Sequence, residues 1–135
     1  MTPIRLPFIV LAVSTVIGSA GLGQESRSTA KQIAPVDFEN DLIPVFTRFG
    51  CNAGACHGSA IGRGGFKLSL FGGNPRADFD AVVRQVEGSR INLARPEQSL
   101  VILKPTESIT HGGGERFDLD HDSTKLLLAW IGQGA

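Results

Sequence analysis

The sequence lacks any apolar run long enough to cross a membrane. Its longest such stretch, residues 6–17, covers about 12 residues, whereas a membrane-spanning helix needs about 20. Arg5 precedes this stretch and the small residues Gly-Ser-Ala follow it at 18–20, which is the pattern of a secretory signal peptide with its cleavage site. We therefore predict a signal peptide over residues 1–24, a periplasmic or otherwise extracytoplasmic location, and no transmembrane span in the mature chain. An uncleaved membrane tether is the alternative.

The sequence also lacks blocks of like charge. Removing Arg5 with the signal peptide leaves 12 of the 13 basic residues against 13 acidic ones. Proteins that bind nucleic acid carry a basic patch or stripe, and the sequence shows neither. We therefore expect no nucleic-acid partner.

Cysteine is scarce: the chain has only Cys51 and Cys56, and His57 follows the second directly. Outside the cytoplasm, such a pair either forms a disulfide or is used for cofactor attachment. A zinc site would need a fourth ligand, and there is no second cysteine pair. In the C-x-x-C-H motif the thiols bind haem covalently and the histidine becomes the proximal iron ligand. Here four residues separate the cysteines, and the small residues at 53–55 allow the extra length to bulge outward. We predict one covalent haem c.

Methionine is absent after Met1, which lies in the predicted signal peptide. The methionine that serves as a sixth haem ligand in many cytochromes, and raises their potential, therefore has no counterpart. His111, in a glycine-flanked loop before the last predicted helix, is our candidate for the second iron ligand. His121 is more simply explained as a residue at the start of that helix. An open or water-occupied sixth position is the third alternative.

The pattern of apolar residues predicts an all-α fold. Phe38, Leu42, Phe46 and Phe49 recur at helical spacing, with Pro44 placed in an opening turn and glycine at position 50 ending the helix before the cysteines. Further helices are predicted over residues 78–87, from 96 to about 103, and over 122–131. Residues 66–70 alternate and predict a short extended segment.

These elements place a flexible leader at residues 25–36 and one domain at 37–135. A mature chain of about 110 residues has a marginal core unless a bound group assists it. We expect a small cytochrome-c-like helical domain around one covalently bound haem, with its first and last helices packed together.

An apolar site for the haem would come from aromatic residues of these two helices. We expect Phe49 and Trp130 to pack in the core and to contact the haem. Three arginines, Arg63, Arg90 and Arg116, are candidate partners for the haem propionates.

Several segments resemble the planctomycete-type cytochrome c domain found at the start of large exported proteins. The similarity is specific in C-N-A-G-A-C-H-G at 51–58 and G-G-F-K-L-S-L at 64–70, and it continues in L-K-P at 103–105, H-G-G at 111–113 and W-I-G-Q-G-A at 130–135. The resemblance implies a haem c domain in which Cys51 and Cys56 attach the haem and His57 binds its iron. In that family long domains usually follow, so we expect either a free-standing cytochrome or a piece whose exported partner is encoded separately.

We thus predict electron carriage with a redox partner protein, which is not an enzymatic activity. Two alternatives remain: a haem enzyme or ligand sensor with an open sixth position, and a non-haem interaction module stabilised by a disulfide. The loop H-G-G-G at 111–114 resembles the oxyanion loop of some esterases, but the G-x-S-x-G nucleophile elbow is missing.

Overall fold

The computed structural model describes residues 34–135. Within this part the chain is helical and has no β-strand; its four α-helices are Ile43–Arg48 (α1), Pro75–Val83 (α2), Leu100–Leu103 (α3) and Asp122–Gly132 (α4). Short 3-10 turns at Leu70–Gly72, Val86–Gly88 and Pro96–Gln98 connect them. The predicted signal peptide and residues 25–33 of the predicted leader lie outside the described residues. The all-α prediction is confirmed for the part of the chain that the structure describes.

The first helical segment begins with a wide π-helical turn, Phe38–Leu42, and continues as α1. Asp37 caps it, because its Oδ1 accepts a hydrogen bond from the backbone N–H of Asn40 at 2.7 Å. Pro44 lies in the opening turn of α1, as predicted, where the missing N–H costs nothing. The ring of an interior proline would clash with the carbonyl four residues earlier, and the wider preceding turn is consistent with avoiding that clash.

Helix α2 begins and ends earlier than the apolar pattern predicted. Asn74 caps it by accepting a hydrogen bond from the N–H of Ala77 at 3.1 Å, which places Pro75 in the first turn. The helix ends at Val83 because the backbone becomes extended at Gln85 (φ −66°, ψ 152°). Val86 and Glu87 follow with φ values of 54° and 55°, and a left-handed backbone cannot resume a right-handed helix.

The segment at 66–70 forms no strand. Its only ladder contact among the described residues is an isolated bridge between Phe66 and Arg63. Asp78 of α2 holds this segment instead, since its carboxylate accepts hydrogen bonds from both the N–H and the hydroxyl of Ser69.

The last two helices follow their predicted positions with one interruption. The helix predicted from residue 96 is divided at Ser99, whose backbone is extended (φ −69°, ψ 137°). Helix α4 is capped by His121, and not by a neighbouring aspartate, because the His121 Nδ1 accepts the N–H of Ser123 at 3.0 Å.

The core lies between the first helical segment and α4. The rings of Phe38 and Trp130 are 5.4 Å apart, and Phe79 of α2 packs against Phe38 at 5.3 Å. Five aliphatic side chains are essentially inaccessible, and each stabilises the fold by about 1.5–3 kcal/mol: Leu42, Val82, Ile102, Leu127 and Ile131.

Gln133, directly after α4, holds both ends of the described domain together. Its Oε1 accepts the N–H of Val36 at 2.8 Å, and its Nε2 donates to the carbonyl of Ala34 at 3.2 Å. The residues before the first helix and those after the last are therefore neighbours.

Candidate functional site

A cavity of about 400 Å³ contains both cysteines and two of the three histidines. This volume falls within the range of about 300–1,000 Å³ that is usual for small-molecule and cofactor sites. The cavity is lined mainly by apolar groups and by a set of basic side chains: Phe46, Cys51, Cys56, His57, Arg63, Gly64, Phe66, Leu68, Arg90, Leu100, Val101, Lys104, Pro105, His111, Gly112, Gly113 and Arg116. The structure thus brings Cys51, Cys56, His57 and His111 to one site.

The end of α1 positions the first cysteine. Gly50 has a φ of +71°, its N–H donates to the carbonyl of Thr47 at 3.1 Å, and the N–H of Cys51 donates to that of Phe46 at 2.8 Å. These two bonds make a Schellman motif, which reverses the chain after a helix and favours glycine at its left-handed residue. Cys51 therefore turns back beside Phe46, and both residues line the cavity.

The segment from Cys51 to Gly58 closes on itself. The N–H of His57 donates to the carbonyl of Cys51 at 3.0 Å, and those of Cys56 and Gly58 donate to the carbonyl of Ala53 at 2.9 and 3.1 Å. Gly54 and the residue after it are exposed and do not line the cavity. The longer spacing between the cysteines is accommodated on the outer side of the loop, as the small residues there led us to expect.

His57 has a fixed orientation and a neutral ring. Its Nδ1 lies 3.0 Å from the carbonyl oxygen of Phe66, and the Phe66 ring is 4.6 Å from the imidazole. A carbonyl oxygen only accepts hydrogen bonds, so Nδ1 carries the proton and Nε2 keeps its lone pair. Burial disfavours the charged form and lowers the pKa of His57 below its ordinary value.

His111 is held in the same tautomer by its own loop. Its Nδ1 lies 2.9 Å from the carbonyl oxygen of Gly114, and the Gly114 N–H donates back to the carbonyl of His111 at 2.8 Å. In the neutral ring, this bond leaves Nε2 with the free lone pair. This arrangement, with Nδ1–H on a backbone carbonyl, is the usual one for a histidine that binds a metal.

The two imidazoles lie close together, and their rings are nearly parallel. Their ring centroids are 6.3 Å apart and their planes differ by 12°. Both histidines line the same cavity, and they would be the residues to hold a metal ion bound there.

The charged side chains that line the cavity are all basic. They are the three arginines proposed as propionate partners, Arg63, Arg90 and Arg116, together with Lys104, and no acidic side chain is among the described lining residues. Arg90 is the most enclosed of them: it donates to the carbonyls of Ala81 and Gly65 at 2.9 Å each. Such a set of cations suits an anionic group in the cavity.

The two thiols are free, and their surroundings differ. Burial raises the pKa of the Cys51 thiol to about 11, with Arg116 opposing the shift. The guanidinium of Arg116 lies 3.7 Å from the sulfur of Cys56. Both sulfurs belong to residues that line the cavity, so both are placed for attachment to a group inside it.

Two of the predicted haem contacts do not line the cavity. Phe49 is the C-cap of α1, past the helix itself, and its ring packs 4.9 Å from Phe117 and 5.3 Å from His121. Trp130 is buried against Phe38 and is not among the residues that line the cavity. The structure gives both residues the core packing that was also predicted, and it places Phe46 at the cavity where Phe49 was expected.

Sequence reasoning missed several residues that lie in the segment from Cys51 to Gly58 or line the cavity beside it. Asn52 is fully buried, donates from Nδ2 to the hydroxyl of Thr47 at 2.9 Å, and has no partner for Oδ1 among the described residues. Lys104 and Leu68 line the cavity without a pattern that marks them. Both residues lie in segments that carry the family resemblance, Lys104 in L-K-P and Leu68 in F-K-L-S-L. That resemblance was the only sequence feature that could have indicated them.

Comparisons with protein-family models, with curated proteins and with solved structures find no match to this chain. The resemblance to planctomycete-type cytochrome c domains therefore stays a prediction. No helix within residues 34–135 is both long and apolar enough to cross a bilayer.

Proposed function

We propose that this chain is an extracytoplasmic haem c protein that carries electrons, with Cys51 and Cys56 as attachment residues and His57 and His111 as iron ligands. The observation that carries the proposal is the pair of imidazoles in one cavity, 6.3 Å apart, each with Nδ1 held by a backbone carbonyl. Both thiols and a fully basic set of charged groups line the same cavity.

Haem would supply an iron that cycles between ferrous and ferric states. The chain supplies the rest of the chemistry: the carbonyl of Phe66 orients His57, the carbonyl of Gly114 orients His111, and both rings keep Nε2 free for the metal. Phe46 and Leu68 exclude water from the apolar side, and Arg116 and its basic neighbours offer charge to the propionates.

Two histidine ligands favour a lower potential than a histidine and methionine pair, because methionine is the ligand that raises it. The function that fits this site is electron transfer between exported redox proteins, with a partner protein encoded elsewhere. Export by the predicted signal peptide at 1–24 is part of the proposal.

A haem stain that survives denaturing electrophoresis tests the cofactor. The full chain is produced in a host that attaches haem c, together with a Cys51→Ser/Cys56→Ser variant as the control. We expect a stained band for the parent chain and none for the variant. An unstained parent band would overturn the haem assignment.

Spectroscopy of the same protein tests the ligands. We expect a low-spin iron in both oxidation states, no methionine-to-iron band, and slow binding of carbon monoxide to the reduced protein. His111→Ala should convert the iron to a high-spin form that binds carbon monoxide readily, whereas His121→Ala should not. A parent protein that is already high-spin would instead favour a haem enzyme or ligand sensor.

A further inference from the structure

We propose that Arg63 is a positioning residue that ties the loop carrying His111 to the segment carrying His57. The hydrogen bonds that make this connection belong to the chain itself, whereas their effect on the iron rests on the proposed function. Arg63 acts through other residues: its backbone is bound on the His57 side of the cavity, and its side chain reaches the His111 side.

On the His57 side, Arg63 and the imidazole share one acceptor. The carbonyl oxygen of Phe66 accepts from the Nδ1 of His57 at 3.0 Å and from the N–H of Arg63 at 2.9 Å. The N–H of Phe66 donates back to the carbonyl of Arg63 at 3.1 Å. The backbone of Arg63 is thus fixed relative to the ring of His57.

On the opposite side, the guanidinium of Arg63 binds the residue that follows His111. Its Nη2 donates to the carbonyl oxygen of Gly112 at 3.1 Å, across a sequence separation of 49 residues. This bond lies one residue from the proposed second ligand.

The loop at 110–114 has few other connections. Among the described residues, its remaining hydrogen bond to the rest of the chain runs from the ammonium group of Lys104 to the carbonyl of Thr110, at 2.7 Å. The bonds between His111 and Gly114 are internal to the loop. Arg63 therefore makes the hydrogen bond that joins the part of the loop after His111 to the His57 side of the cavity. The next backbone anchor along the chain is the N–H of Arg116, which donates to the carbonyl of Pro105 at 2.7 Å.

Removing the side chain of Arg63 should loosen His111 and leave His57 in place. The bond from His57 to Phe66 does not involve the guanidinium, and the backbone bonds between Arg63 and Phe66 persist in any side-chain variant. A single substitution at Arg63 should therefore affect the position of His111 without affecting that of His57.

Arg63→Met tests the tie, with Arg95→Met as the matched control. Methionine removes the donors and the charge but keeps an unbranched side chain. Arg95 is also exposed, and its side chain makes no hydrogen bond within the described part of the chain. Both variants lose one positive charge, so a difference between them does not arise from the change in net charge.

Two measurements on the full chain are needed. In the reduced haem protein, the rate of carbon monoxide binding should rise about 3- to 10-fold in Arg63→Met, since the loss of one exposed hydrogen bond enlarges the population in which His111 has left the iron. Hydrogen–deuterium exchange of the peptide covering 110–114 should quicken in Arg63→Met alone.

The outcomes separate this inference from the proposed function. Equal carbon monoxide rates and equal exchange in the two variants would overturn the tie, even in a protein that carries haem with two histidine ligands. A parent chain without covalent haem would overturn the proposed function, while exchange at 110–114 would still decide whether Arg63 holds the loop.

Discussion

Replacing Gly58 with alanine should disrupt the loop that positions both cysteines and His57. A Cβ at this position would lie 2.0 Å from the carbonyl oxygen of Asn52 and 2.6 Å from its carbonyl carbon. Both are backbone atoms, so they cannot rotate away as a side chain would. The loop must open, and the bonds from the N–H groups of His57 and Gly58 to the carbonyls of Cys51 and Ala53 are the first to be lost.

The cost follows from these contacts. Overpacking a closely packed site destabilises a protein by about 1–3 kcal/mol, and each lost backbone hydrogen bond adds about 1 kcal/mol. Together they give about 3–5 kcal/mol, which is a large share of the 5–15 kcal/mol that stabilises a typical domain. For a domain of this size, each kcal/mol lowers the melting temperature by about 4–8 °C, so we expect a decrease of at least about 12 °C.

Gly54→Ala is the matched control within the same loop. A Cβ at Gly54 would meet the Cδ1 atom of Leu70 at 3.7 Å, which is an ordinary van der Waals contact. Thermal unfolding followed by circular dichroism, with the yield of covalent haem measured in parallel, should separate the two variants. Equal melting temperatures for Gly58→Ala and Gly54→Ala would refute the packing argument.

Two further substitutions test the site and the core separately. Gly113→Ala should displace His111 and raise the high-spin fraction of the iron, because the new Cβ would lie 2.9 Å from the Cε1 atom of that ring. Gly112→Ala is the control, since the nearest contact of its Cβ is at 3.6 Å. Identical absorption spectra for the two variants would contradict the placement of His111. Trp130→Leu should lower the free energy of unfolding by about 2–3 kcal/mol through lost core packing. It should leave the haem spectrum unchanged, because the Trp130 ring does not line the cavity. A shifted spectrum with unchanged stability would instead assign Trp130 to the cavity.

Local signals predicted the bounds of the first helical segment well, because neighbouring residues set them. Asp37, Pro44 and Gly50 act within one or two turns, so their effects follow from the sequence alone. The same reasoning failed after Val83. A left-handed backbone at Val86 is uncommon for a β-branched residue, so the residue type gives no basis for predicting it.

The site was predictable in its composition but not in its arrangement. The C-x4-C-H motif and the loop histidine pointed to His57 and His111, and the structure brings them together. Phe49 was expected at the cavity because it continues the helical spacing. The Schellman motif ends that spacing one turn earlier, and Phe46 takes the place. The hydrogen bond from Arg63 to Gly112 joins residues far apart in sequence, and no local pattern encodes it.

The two hydrogen bonds of Gln133 hold the two ends of the described domain next to each other. Because this side chain holds Ala34 and Val36 beside the end of α4, the chain enters and leaves the domain at the same place. Domains with adjacent ends tolerate fusion, insertion into a host loop and circular permutation. The same arrangement would allow this domain to be joined to a larger protein without changing the backbone path of the segments on either side of it.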